Sequence, residues 1–306
     1  MNCVSKRIVL LFGIALCGAF ALAQNPPQQP PTEVYLAGLS RDSLPAVHPP
    51  IVNISNNPGY DNQPSFTPDG KSVFFTSNRD GKQTDIYRYD VATRRLVQLT
   101  QTSENEYSPL IMPGETSFSV VHGDEQSLWR FDLDGLHGKL AYQHKGKIGY
   151  HVWIDATHVG IFVLGSQAQP NTLQIADIAS GSTETIATGI GRSLLLRPGT
   201  SQMSFVVKTS GQPSMVKVMD VRTHAVSDLV EAVKDAEDCA WDPETGRLLM
   251  AKDAKIFGWL SNGKGWVELG DLGAAGIKNI TRLAVNPDKR AGAANRLAIV
   301  AEPTAK

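Results

Sequence analysis

A proline recurs along this chain at nearly fixed intervals, each time two residues after an apolar position and just ahead of a turn. The frame stands at Pro68, Pro113, Pro198, Pro243 and Pro287, with spacings of 45, 85, 45 and 44 residues. The interval of 85 is two periods, and near its middle Trp153-Ile154-Asp155-Ala156 occupies the same frame with Asp155 in the proline position. Six units result. A second marker has the same period: the third apolar run of a unit ends in aspartate at Asp90, Asp132, Asp177 and Asp220, spaced 42, 45 and 43 apart. The fifth unit departs, with Phe257-Gly258-Trp259-Leu260 in that place.

Within each unit the apolar runs are four to six residues long and bounded by Gly, Asp, Asn or Ser, as in Val73-Phe74-Phe75, Ile161-Phe162-Val163-Leu164 and Phe205-Val206-Val207. Short runs with no 3.6-residue period predict buried strands rather than helices. A four-stranded sheet that is apolar on both faces cannot bury them alone, and a period near 44 is that of one propeller blade. The fold expected is therefore all-β, a six-bladed β-propeller of four-stranded antiparallel blades. The sixth unit offers only two strands, Arg282 to Asn286 and Arg296 to Ala301, while Glu33 to Leu39 and Pro50 to Ile54 are two strands without a unit. Pairing the two sets lets N-terminal strands close the last blade and removes its open edge.

The start of the chain has a different character. Lys6 and Arg7 precede an apolar run from Ile8 to Leu22, and Ala21-Leu22-Ala23 has the small-x-small pattern of a cleavage site. Residues 1–23 read as a secretory signal peptide; a lipid anchor on Cys17 and an uncleaved membrane anchor are the alternatives. Residues 24–32, rich in Pro and Gln, read as an extended tether, and 33–306 as the propeller. No later run approaches the roughly 18 apolar residues of a membrane-spanning helix. The formal charge is -1, and becomes -3 once Lys6 and Arg7 are lost with the leader; this gives no electrostatic footprint for nucleic acid. Of three cysteines only Cys239 lies outside the leader, so the propeller is held by packing and not by an internal disulfide.

The best-preserved unit carries Pro64-Ser65-Phe66-Thr67-Pro68-Asp69-Gly70, then Thr76-Ser77-Asn78-Arg79-Asp80-Gly81, then Asp85-Ile86-Tyr87. It resembles the WD40-like repeat of TolB-type six-bladed propellers, and the frame extends the resemblance over residues 33 to 302. The resemblance implies a secreted, periplasmic bacterial protein. TolB itself has a separate α/β domain ahead of its propeller, whereas here the tether leads directly into the closing strands, so its partner, the peptidoglycan-associated lipoprotein, is not carried over.

In a propeller the first strand of each blade lines the central channel, and the residues leading into it ring one mouth. Counting back from each frame position collects Asp61, Glu106 and Tyr107, Tyr150 and His151, Arg192, Glu237 and Asp238, and Arg282. Three readings of this ring stay open. The groups satisfy one another around a wet axis. Alternatively they bind a protein, peptide or small-molecule ligand, with Arg192 and Arg282 forking a carboxylate and Tyr107 and Tyr150 giving flat apolar contact. In the third reading a calcium ion on Asp61, Glu106, Glu237 and Asp238 serves a metal-dependent lyase or hydrolase with His151 as base. The reading adopted is a binding or scaffolding module, monomeric, without catalytic residues or an obligate cofactor, and with a partner in the cell envelope.

Other signals carry less. Gly70-Lys71-Ser72 lacks the glycine of a phosphate loop five places earlier, where Ser65 stands. Asp132-Leu133-Asp134-Gly135 has Arg130 where a calcium loop needs its first acid. Cys239 reads as a buried small hydrophobe, and His122, His137, His144 and His158 as surface residues near turns.

Overall fold

In the computed structural model, residues 29–261, 265–288, 294 and 296–303 are described, and the leader and most of the tether lie outside them. Six four-stranded sheets account for all the strands among these residues. Blade I comprises Asp61–Phe66, Ser72–Ser77, Asp85–Asp90 and Leu96–Gln98. Blade II comprises Glu106–Ile111, Ser117–His122, Ser127–Asp132 and Lys139–Tyr142. Blade III has Ile148–Trp153, His158–Val163, Thr172–Asp177 and Thr183–Thr188. Blade IV has Ile190–Leu196, Gln202–Val207, Met215–Asp220 and Val226–Glu231. Blade V has Cys239–Trp241, Leu248–Lys252, Lys255–Trp259 and Trp266–Asp271. Blade VI runs from Arg282–Val285 through Leu297–Ala301 to Glu33–Leu39 and Val47–Asn53, so the N-terminal strands complete it as expected. Each inner strand lies against the next, and that of blade VI against that of blade I, which closes the ring. The only helical segment described is a single 3-10 turn, Gly273–Ala275.

The apolar runs are continuous because successive side chains on a strand point to opposite faces, and here both faces are buried. Phe74 points into blade II, with its ring 5.3 Å from that of Phe118 and edge-on to it, while its neighbour Phe75 joins Val34, Leu36 and Val300 at the seam with blade VI. Six buried clusters result, one per seam. Indole groups reinforce two of the seams. Trp153 Nε1 of blade III donates to Ser119 Oγ of blade II at 2.8 Å, and Trp241 Nε1 of blade V to Ser204 Oγ of blade IV at 2.9 Å.

The recurring aspartates cap the hairpins after the third strand. Asp90 Oδ1 accepts the backbone N–H of Thr93 at 2.8 Å, Asp177 Oδ1 that of Ala179 at 2.9 Å, and Asp220 Oδ1 that of Arg222 at 2.9 Å. A short acidic side chain satisfies a turn amide that the sheet cannot reach.

The outermost strand of blade VI begins at Val47, three residues earlier than the sequence suggests, and includes Pro49 and Pro50. Proline lacks the N–H of the ladder, which an edge strand tolerates. Closure is also tied by polar contacts. Asp61 N donates to Thr32 O at 3.0 Å, and Asn286 Nδ2 to Gly70 O at 2.9 Å. Gly70 has φ +68°, and a Cβ there would stand 2.1 Å from Asn286 Oδ1, so both conformation and space call for glycine. Arg296, almost wholly buried, ion-pairs across the blade V–VI seam with Asp242 at 3.0 Å and with Glu244.

Candidate functional site at the channel mouth

Around the channel the inner strands are not regular. Their register shifts between Asn62 and Ser65, Tyr107 and Leu110, Ile148 and Tyr150, and Ile190 and Leu194. In blades I and II the shift holds Gln63 at φ 57° and Ser108 at φ 53°, conformations that cost a non-glycine residue free energy. Gln63 Oε1 helps to hold them by accepting Ser108 N at 2.8 Å and Thr76 Oγ1 at 3.0 Å.

Four of the expected residues meet at the axis. Arg282 reaches from blade VI to blade III on the opposite side of the ring, where Nη2 donates to the Tyr150 hydroxyl at 2.7 Å and the guanidinium carbon lies 4.8 Å from the centre of the tyrosine ring. Asp238 of blade V stands 3.8 Å from Arg282 Nη1 and accepts Leu283 N at 2.9 Å. Arg192 of blade IV donates through Nη2 to Thr281 O at 2.6 Å. Tyr150, Arg192, Asp238 and Arg282 line a cavity of about 110 Å³ together with His151, Ser108 and Gln63. The two arginines and Asp238 also line a wider hollow of about 400 Å³ that opens at the rim beside Glu237, Lys252 and Asn279.

Burial raises the pKa of Asp238, against the pull of Arg282 and Arg192. Burial and then repulsion from Arg282 lower that of Arg192. Two guanidiniums thus face one carboxylate across a partly dehydrated channel, where charge acts at shorter screening than at the surface. His151 adds no charge, since burial drops its pKa to about 3; one ring nitrogen is 2.7 Å from Ser119 Oγ. The sequence reading missed Tyr60, which precedes the inner strand of blade I. Burial pushes its hydroxyl well above the ordinary tyrosine range, against the pull of Arg282 and Arg192. Tyr107 is half-buried near the same mouth, and its hydroxyl accepts Gln29 Nε2 of the tether at 3.5 Å.

The remaining expected residues go elsewhere. Asp61 is fully buried at the closure seam, where Oδ2 accepts Asn57 Nδ2 at 3.2 Å and desolvation lifts its pKa to about 6. Glu106 is fully buried between blades I and II, accepting Thr100 Oγ1 at 3.0 Å and also Thr102 Oγ1; burial is the main reason its pKa stands at about 8, with Asp85 adding to it. Glu237 pairs with Lys208 at the rim. The four carboxylates expected around calcium are therefore dispersed, and among the described residues no group of three or more His, Cys, Asp or Glu could hold a metal ion.

His122 corrects another expectation. It is not at the surface but buried at the end of a strand, stacked 4.3 Å from the Trp129 ring and 3.2 Å from Glu104. Cys239 is buried, and the absence of solvent pushes its thiol up to about 12, which suits packing rather than nucleophilic chemistry.

No family model and no curated protein matches the chain. Among solved structures, a TolB from Agrobacterium tumefaciens superposes with TM-score 0.66 at 15% identity, covering 90% of this chain and 99% of that one. A gluconolactonase from Xanthomonas campestris gives 0.62 at 10% identity, with 91% and 99% covered. TolB from Acinetobacter baumannii gives 0.57 at 12% identity over 90% of this chain, which spans only 65% of that protein's length. The fold is the six-bladed β-propeller that TolB and these other structures share. At such low identities the likeness is one of architecture, and function rests on the side chains of this chain.

Proposed function

We propose that this protein is a secreted, periplasmic binding or scaffolding module that takes a protein or peptide partner of the cell envelope at the mouth of its channel. The observation that carries the reading is the set Tyr150, Arg192 and Arg282 bordering a cavity, with the two arginines also lining the adjacent rim hollow. Aromatic and guanidinium groups gathered at a concave surface are the side chains that dominate binding energy where partners dock. The similarity of fold to TolB supports an envelope setting, and the apolar run ahead of Ala23 supports export. No helix among the described residues is long and apolar enough to cross a membrane. The enzyme alternative, a metal-dependent lyase or hydrolase, finds less support, because Asp61 and Glu106 are held in separate seams, Glu237 pairs with Lys208 at the rim and His151 is tied to Ser119.

The test is capture from periplasmic extract by wild-type protein and by the Arg192→Ala, Tyr150→Ala double variant, with captured proteins identified by mass spectrometry. The expected result is a partner held by the wild type and lost by the variant. Equal capture by both would remove the mouth as the contact surface.

A further inference from the structure

Four polar groups lining the 110 Å³ cavity have no hydrogen-bond partner within the protein for one buried atom each: Ser108 Oγ, His151 Nδ1, Arg192 Nε and Arg282 Nε. Ser108, His151 and Arg282 are more than nine-tenths buried. Buried polar atoms without partners are costly, and four residues carrying one each around one space are not what a self-satisfied channel requires. The arginines carry hydrogen on Nε, the serine hydroxyl can donate, and His151 can donate through Nδ1 when Nε2 accepts from Ser119. The set is therefore rich in donors, and its charges sum to one positive, two guanidiniums against Asp238.

We propose that this cavity receives a single carboxylate, held by Arg192 and Arg282 and entering from the rim hollow. The inference deepens the binding reading above and rests on it. A monoanion matches the net charge, whereas a dianionic phosphate would leave negative charge facing Asp238. The volume holds about three to four waters, or a carboxylate with its adjoining methylene. The separation of 3.8 Å between Asp238 and Arg282 Nη1 is too long for a hydrogen bond, so the protein's own carboxylate does not occupy the donor fork. A peptide C-terminus and a Glu or Asp side chain offer the same group as a free carboxylic acid.

The experiment is titration of the exported chain, by calorimetry and by thermal midpoint, with sodium acetate against acetamide and against sodium chloride at matched ionic strength. Short peptides form two further arms: free C-terminus against C-terminal amide, and internal Glu against Gln. Acetate binding that acetamide and chloride do not reproduce is expected, with Arg192→Gln weakening it about tenfold or more, the size expected for one charge-assisted hydrogen bond. Whichever peptide arm loses binding on neutralisation names the source of the carboxylate. Arg282→Gln also removes the Tyr150 contact and is not needed to decide, because the acetate and acetamide pair is read on the wild type. Acetate and acetamide acting alike, or phosphate outcompeting every carboxylate, would overturn the inference. If partner capture still required Arg192 and Tyr150 in that event, the mouth would remain a binding surface and only its ligand chemistry would fall; if capture were indifferent too, both readings would fall.

Discussion

The two halves of the channel mouth use residues four to seven places ahead of the repeat frame in opposite ways. On the side of blades I to III, Asp61 and Glu106 stand 45 residues apart and both are buried in seams, bonded to Asn57 and Thr100, while His151 borders the cavity but is tied to Ser119. On the side of blades IV to VI, Arg192, Asp238 and Arg282 line the channel cavity. Small polar partners, in adjoining loops for Asp61 and Glu106 and on the neighbouring strand for His151, fix these groups. Arginine is long enough to leave its own blade, as the contact from Arg282 to Tyr150 shows. A repeat fixes where the backbone goes, and the length and partners of the side chain then decide whether a position serves stability or the mouth.

The contrast is broken most severely at the blade V–VI seam. Arg296→Ala leaves Asp242 buried without its cation and is expected to cost about 3–5 kcal/mol in urea unfolding. Ser119→Ala strips partners from both Trp153 Nε1 and His151, for a loss of about 1–3 kcal/mol by the same measurement. Neither change should alter the rim.

The buried acids make the seam side sensitive to pH. Glu106 has a folded pKa of about 8 against an ordinary 4.5, and Asp61 about 6 against 3.8. Folding therefore favours their protonated forms. The stability they contribute is complete below the ordinary values and is lost as pH rises, through about 6 for Asp61 and through about 8 for Glu106. Thermal midpoints of Glu106→Gln should fall less between pH 5 and about pH 8 than those of the wild type; parallel curves would show that Glu106 is already ionised in the fold.

At the mouth, Tyr150→Phe removes the acceptor of one arginine hydrogen bond but keeps the ring beneath the guanidinium. A stability loss of only about 1 kcal/mol is expected, with a larger loss of partner capture. The smallest effect expected is that of calcium or manganese: because the carboxylates are dispersed, neither ion nor EDTA should shift the melting curve. A reproducible rise with either ion, reversed by EDTA, would revive the metal-dependent reading.

The blades were legible because both of their faces are buried: apolar runs such as Val73-Phe74-Phe75 recur with the proline frame, and only radial stacking covers every one of them. The N-terminal closure was legible too, since Glu33 to Leu39 had no unit of its own. The direction of side chains at the mouth was not. Each of the first four inner strands contains a register shift, and one extra residue in a strand exchanges the faces to which its side chains point. That is why Tyr60 went unnoticed and why Asp61 and Glu106 were expected at the axis.

The amino-acid sequence by itself determined the number of blades, their strands and the strands that close them, because hydrophobic period and turn chemistry act locally and repeat. Only the tertiary structure decided which polar groups share the channel. Their meeting depends on bulges, on the reach of Arg282 across the ring and on competing partners in the seams, and none of these is encoded within a single repeat.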